Sequence, residues 1–254
     1  MSTLIECPEP VGRADGGGSA DAFSVVPSTT VHSPTVHSPT VHSTTGAHRV
    51  LAFPERSLVL VCGVPGAGKS TLLRHLFGLT GVEDRTVLRG EVRVVDSHQS
   101  RLRLTPALAS LPLPYTVWRW LVHVLHLLRV TAALRGGPVA VHESGTRRWV
   151  RLLLALLGRL RGYSVHVVMI DASPDEALSA QRSRGRAVTA RSHRAHTRRW
   201  RRLCLARERG PGALVPGAAS LTVLARGDVR LLAGVRFGGA VQLTSGRFGR
   251  SAGS

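Results

Sequence analysis

Nine consecutive residues, Gly63-Val64-Pro65-Gly66-Ala67-Gly68-Lys69-Ser70-Thr71, carry the clearest chemistry in this chain. The first eight satisfy G-x-x-x-x-G-K-[ST] without a mismatch. Glycines at these positions let successive backbone N–H groups turn inward around an anion. A helix starting at the end of the loop adds partial positive charge at the same place. The loop is therefore read as a cradle for the phosphates of ATP. Lys69 is a compact charge on a flexible stem, suited to the terminal phosphates, where an arginine fork is bulkier. Ser70 offers its hydroxyl to Mg²⁺. Lysine and arginine together number 34, and Lys69 is the only lysine among them. A lysine kept in so arginine-rich a chain points to work that a guanidinium does not do.

Five further positions complete a phosphoryl-transfer set. Such chemistry needs positioning, cations around the migrating group and a carboxylate for the acceptor's hydroxyl proton. Asp96 is expected at the C-terminal end of a strand, the edge where open α/β sheets bind ligands, and is the candidate acceptor-side carboxylate. Its plainer reading is a helix cap. Arg101 follows as a candidate hold on an anionic group of the substrate, or an ordinary helix-surface residue. Glu143 ends a later strand and is a candidate for a Mg²⁺-bound water, with Asp171 as its rival. Arg182 and Arg186 share a helix face at a spacing of four and can close on a triphosphate.

The elements that must position these residues follow from hydrophobic patterning. Apolar runs predict strands at 58–62, 91–95, 138–142, 164–170 and 220–225. Helical spacing predicts helices at 69–78, 113–134, 146–161, 174–184 and 190–207. Strands alternating with helices imply an α/β fold with a mostly parallel central sheet, and with the phosphate loop the three-layer P-loop NTPase architecture.

Three stretches resemble the small P-loop kinases, the group of adenylylsulfate kinase, polynucleotide 5′-kinase and zeta toxins. Val95-Asp96-Ser97-His98-Gln99-Ser100-Arg101 is similar to the segment after their second strand. Val141-His142-Glu143-Ser144-Gly145-Thr146-Arg147 is similar to the turn after the third. Ile170 to Leu178, followed by Gln181 to Arg186, resembles the entry to an arginine-bearing lid. Residues 50 to 237 also resemble AAA-type ATP-binding proteins of GC-rich bacteria. The resemblance implies an arginine-rich helical lid, ATP and Mg²⁺ as cofactors, Glu143 rather than Asp171 at the metal, and Asp171 at the root of the lid. His98 stands where adenylylsulfate kinase has its second acid, so that substrate is not carried over. Neither an LSGGQ-type signature nor an N-K-x-D motif is present, which sets aside ABC-type ATPases and GTPases.

Composition bounds the rest. Residues 1–47 are poor in large apolar side chains and repeat Thr30-Val31-His32-Ser33-Pro34 at 35–39 and, with Thr44 for proline, at 40–44, so a disordered low-complexity tail is expected. Residues 48–238 are expected to form the kinase-like domain and residues 239–254 a flexible C-terminal tail. Three scattered cysteines and no apolar leader point to a reducing, cytoplasmic setting. The stretch from Val117 to Leu134 holds Arg119, His123, His126 and Arg129, too polar for a bilayer span of about 20 apolar residues, so no membrane partner is expected. The histidines of this stretch, with His193 and His196, form no coherent ligand set. A net charge of +19 keeps nucleic acid open as a partner, through the basic segment 182–209. The expectation is a kinase acting on a hydroxyl acceptor; the alternatives are a nucleic-acid-binding ATPase and a non-catalytic nucleotide sensor.

Overall fold

Leu58-Val59-Leu60-Val61-Cys62, without a polar side chain, belongs on a strand covered on both faces, and every residue of strand β3 (Ser57–Cys62) is buried. The computed structural model describes residues 42–43, 49–109, 115–143, 148–182 and 190–243. Around β3 lie β4 (Val87–Arg89), β5 (Val92–Asp96), β6 (Val139–His142), β7 (Ser164–Asp171) and β8 (Ala218–Ala225), in the order β4-β5-β6-β3-β7-β8. Only β4 runs antiparallel to its neighbour. The fold is α/β with a mostly parallel central sheet.

Helices fill the crossovers: α1 (Lys69–Phe77), α2 (Ser97–Leu108), α3 (Tyr115–Ala133), α4 (Arg148–Leu160), α5 (Pro174–Arg182), α6 (Ala190–Glu208) and the single turn α7 (Pro211–Leu214). Leu72, Leu73, Leu134, Leu154, Met169 and Ile170 are fully buried between helices and sheet. Burial of each such side chain contributes about 1.5–3 kcal/mol. A second sheet, β1-β2-β9-β10, joins His42–Ser43, Arg49–Phe53, Leu232–Phe237 and Ala240–Leu243. Phe53 links the two sheets, its ring 5.2 Å from that of His166 on β7 and 5.6 Å from that of Phe237 on β9.

The two sheets depart from the patterning in instructive places. Helix α2 was not expected, and the expected helix over 113–134 begins at Tyr115. Asp96 and Gln99 form a capping box at the start of α2, a D-x-x-Q signal visible in the sequence. Strand β10 lies within the segment expected to be a flexible tail. Ala240 pairs with Phe237 across Gly238-Gly239, a two-residue glycine turn that fixes a hairpin. His42–Ser43, in the third copy of the repeat, pairs with Arg49 and Val50. Strands β2, β4 and β9 escaped notice because they are short or, in β9, interrupted by Gly234. The rest of the repeat, the turn at 144–147, and Arg186 with the lid sequence around it lie outside the described residues.

Candidate nucleotide and acceptor site

The loop from Gly63 to Gly68 leaves β3 and delivers Lys69 as the first residue of α1. Gly68 caps that helix at φ 111°, a left-handed conformation that a side chain would strain. Gly66, at φ 96°, has a second constraint. A Cβ there would lie 2.2 Å from the carbonyl oxygen of Ala177 on α5, so the loop is seated directly on that helix. Two side chains brace the same loop from behind. Gln181 Nε2 donates to Pro65 O at 2.6 Å, and Arg226 Nη1 donates to Gly66 O at 3.3 Å and Glu176 O at 2.9 Å. Neither residue belongs to the motif, and nothing in the linear sequence marks either as a brace of the loop.

Lys69 is buried, and its Nζ donates to the loop's own carbonyls, Gly63 O at 2.8 Å and Val64 O at 3.0 Å. Cys62, immediately before the loop, is buried beneath it. Burial pushes its thiol up to about 12, and the Glu143 carboxylate adds to this, so it stays protonated and inert.

Asp96 ends β5 directly opposite His142, the last residue of β6. Its Oδ1 accepts from the backbone N–H of His98 at 2.8 Å and lies 2.5 Å from His142 Nδ1. Its own N–H donates to Gln99 Oε1 at 3.0 Å. Burial works against the charged carboxylate. The charge and hydrogen bond of His142, together with the His98 N–H, outweigh it and hold the group well below the usual carboxylate range. The capping box adds the N–H of Gln99 as a further donor to the same carboxylate. Asp96 is thus both the cap of α2 and an ionised group. It lines a depression together with Ser70, His98 and Gln99, closed on the other side by Arg74 and Glu83. Ser70 and Asp96, 26 residues apart in sequence, meet in one site.

Both acids considered for the metal stand beside the loop's strand, since β6 and β7 flank β3 on either side. Adjacency therefore does not separate them; position along the strand does. The N–H of Glu143 donates to Val61 O at 3.1 Å, which sets this residue level with the start of the loop. Cys62 pairs with Met169, so Asp171 lies two residues farther out along β7, where its Oδ2 takes Arg207 Nη1 at 2.9 Å. Glu143 is buried. Arg151, also buried, feels its negative charge and anchors through Nε on Leu214 O at 3.1 Å.

Arg101 is exposed on α2, one turn beyond the Asp96 cap. Arg182 is the exposed last residue of α5, next to the Gln181 that grips Pro65. The C-terminal end of α5 is therefore fastened to the phosphate loop. His142 and Arg151 are the site residues that patterning missed; each acts through a partner distant in the chain. His126, on α3, is buried with neither ring nitrogen hydrogen-bonded among the described residues, and it feels the charges of Glu143, His142 and Asp96. The donors around Ser70 are oxygens, which suits a hard cation that keeps waters and uses one or two carboxylates. Among the described residues no group of three histidine, cysteine or acidic side chains offers a dedicated metal cage.

The family model described as "AAA domain" matches residues 58–208. No curated protein matches the chain. Among solved structures, the chain is similar to one from the PezAT chromosomal toxin–antitoxin system of Streptococcus pneumoniae, at 19% identity and a TM-score of 0.38. That match covers 53% of this chain and 54% of the other, so it spans about half of the PezAT chain. A second similarity, to the tunicamycin resistance protein of Deinococcus radiodurans, has 17% identity and a TM-score of 0.38. It covers 57% of this chain and 79% of that one.

Proposed function

The chain belongs to the AAA-domain family, of P-loop kinase-like type, and on that premise we propose that it transfers the γ-phosphoryl group of ATP to a hydroxyl acceptor. The observation that carries the proposal is the shared depression of Ser70 and Asp96. A phosphate loop alone is compatible with simple hydrolysis. A buried, ionised carboxylate beside it, lining the same depression, is what an acceptor hydroxyl requires.

In this reading the loop N–H groups from Gly63 to Thr71 hold the phosphates, and Lys69 exchanges its hold on Gly63 O and Val64 O for the β- and γ-phosphate oxygens. Ser70 and Glu143 would hold Mg²⁺, Glu143 through a water; the ion supplies charge neutralisation across the β- and γ-oxygens. The Asp96 carboxylate accepts the acceptor's hydroxyl hydrogen and orients its lone pair on phosphorus. Its low affinity for protons suits a transfer in which the proton leaves late, after the bond to the leaving oxygen has loosened. Arg101 would hold an anionic group of the acceptor. Arg182, with Arg186, closes over the triphosphate and neutralises charge as it moves to the leaving group.

The test uses γ-labelled ATP with purified protein and four acceptor sets: nucleosides, sugars, short oligonucleotides and small alcohols. Label should move to one set in wild type and stay on ATP or appear as free phosphate in Asp96→Asn. Phosphate release at one rate, whatever the acceptor and in both proteins, rejects the kinase reading. A second reading rests on α6, where Arg198, Arg201 and Arg202 are exposed along one face and can follow a nucleic-acid backbone. Oligonucleotide affinity falling steeply with salt, with hydrolysis stimulated by the oligonucleotide, would favour that reading.

A further inference from the structure

Helices α3 and α4 pack side by side, α3 over β5 and β6 and α4 over β7. A Cβ at Gly158 of α4 would lie 2.8 Å from Leu58 of β3, so α4 also rests on the sheet. Their inward positions are as expected: Val122, His126, Val130 and Ala133 on α3 are buried, as are Val150, Leu154, Ala155 and Gly158 on α4. Their outward positions are not. Val117, Trp120, Val124 and Leu128 recur at intervals of three, four and four, opposite the buried side of α3. Trp149, Leu152, Leu156 and Leu160 repeat the same spacing on α4. All eight are exposed, with Trp120 at 60%, Leu128 at 61%, Trp149 at 53% and Leu160 at 74%. A helix of an ordinary monomer turns polar residues to this side. Two adjacent helices instead turn parallel apolar stripes to the outside, and with aromatics of about 150–250 Å² each the surface is large for a monomer.

The charge around these stripes is of one sign. From Ser97 to Tyr163 the only acid is Glu143, which is buried, against ten arginines. Arg148 and Arg159, three turns apart, run along one flank of the α4 stripe, and both are exposed. A second copy of the chain docked face to face would bring arginine against arginine with no acid to meet it, which disfavours self-association. The stripes also project outward from the helix crests, whereas a peptide helix is received in a groove. Protruding tryptophans and leucines beside arginines that can extend to phosphate suit one partner best.

We propose that the outward face of α3 and α4 docks on an anionic phospholipid surface. No described helix is long and apolar enough to cross a membrane, and none is needed. The apolar stripes enter the headgroup boundary while Arg148 and Arg159 meet lipid phosphates, and the chain lies on the bilayer. The absence of a membrane partner, expected from the lack of a spanning segment, concerns a different mode of attachment. The proposal does not depend on the phosphotransferase reading.

Co-sedimentation of the full chain with vesicles tests it. Vesicles of phosphatidylcholine mixed with phosphatidylglycerol should bind the protein, and phosphatidylcholine alone should bind it roughly tenfold or more weakly. Added salt should weaken the first. Trp120→Ser with Leu156→Ser should abolish sedimentation while leaving the circular dichroism spectrum and melting temperature unchanged, because both side chains are exposed. Arg148→Ala with Arg159→Ala should weaken binding to the mixed vesicles alone. Equal binding to both vesicle types, no binding to either, or binding unaffected by Trp120→Ser with Leu156→Ser overturns the proposal. So does a stable dimer in light scattering that the same double substitution dissociates, since the face would then belong to a second copy.

Discussion

Asp96 and His142 close the ends of two neighbouring parallel strands, and 2.5 Å separates Oδ1 of one from Nδ1 of the other. The contact holds Oδ1 of a carboxylate that lines the depression shared with Ser70. Asparagine at 96 keeps a good helix cap but removes the charge. Asp96→Asn is therefore expected to lower phosphoryl transfer by about 10²–10⁴-fold with little change in ATP affinity. Single-turnover transfer with the labelled acceptor, set beside calorimetric ATP binding, measures both quantities. Lost ATP affinity with unchanged transfer would place Asp96 on the nucleotide instead.

Lys69→Ala should leave the sheet and helices intact and remove ATP binding or turnover. Its Nζ holds two carbonyls of the loop, so its removal is felt first by the loop. Isothermal titration with Mg-ATP and a far-ultraviolet spectrum decide it; wild-type affinity and turnover in the variant would refute the site.

Gly66→Ala separates the loop from α5. The added Cβ meets the Ala177 carbonyl at 2.2 Å, and the φ of 96° is itself unfavourable for alanine. A loss of about 1–3 kcal/mol in stability is expected, with ATP affinity falling further because the loop can no longer seat on the helix. Urea denaturation with and without ATP resolves the two effects.

Arg182→Ala should lower turnover by orders of magnitude, on the scale of an arginine finger, while Arg201→Ala on α6 should cost far less. Steady-state rates at saturating ATP make the comparison. Small and equal losses at both positions, with parallel losses in oligonucleotide affinity, would move the function to the basic face of α6.

Stability should fall as pH drops from about 6.5 toward 4. Burial pushes His126 and His166 down to about 4, so both are neutral in the folded chain while an unfolded chain protonates them near their ordinary value. The unfolded state then binds more protons across this window, and stability rises with pH through it. Melting temperatures measured between pH 7 and 4 should show the decline. His126→Leu, which removes an imidazole without hydrogen-bond partners among the described residues, should flatten it and raise stability at pH 5. An unchanged slope would show that His126 does not account for it.

The sequence by itself determined the phosphate loop and the class of fold. Both are local: the loop's conformation follows from glycines within nine residues, and the parallel strands from continuous apolar runs such as 58–62 and 167–170. Asp96 and Glu143 were legible as candidates because the strands that carry them are legible, and the D-x-x-Q cap of α2 was present to be read. Tertiary structure alone decided what these residues meet. Strand order puts His142 against Asp96 and brings Ser70 to the same depression, although 46 and 26 residues separate each from Asp96. It sets Gln181 and Arg226 under the loop and gives Asp171 to Arg207. It also turned the apolar spacing of α3 and α4, which reads as core in sequence, outward. A periodic pattern specifies that a helix has an apolar face; only packing on the sheet specifies which face is covered.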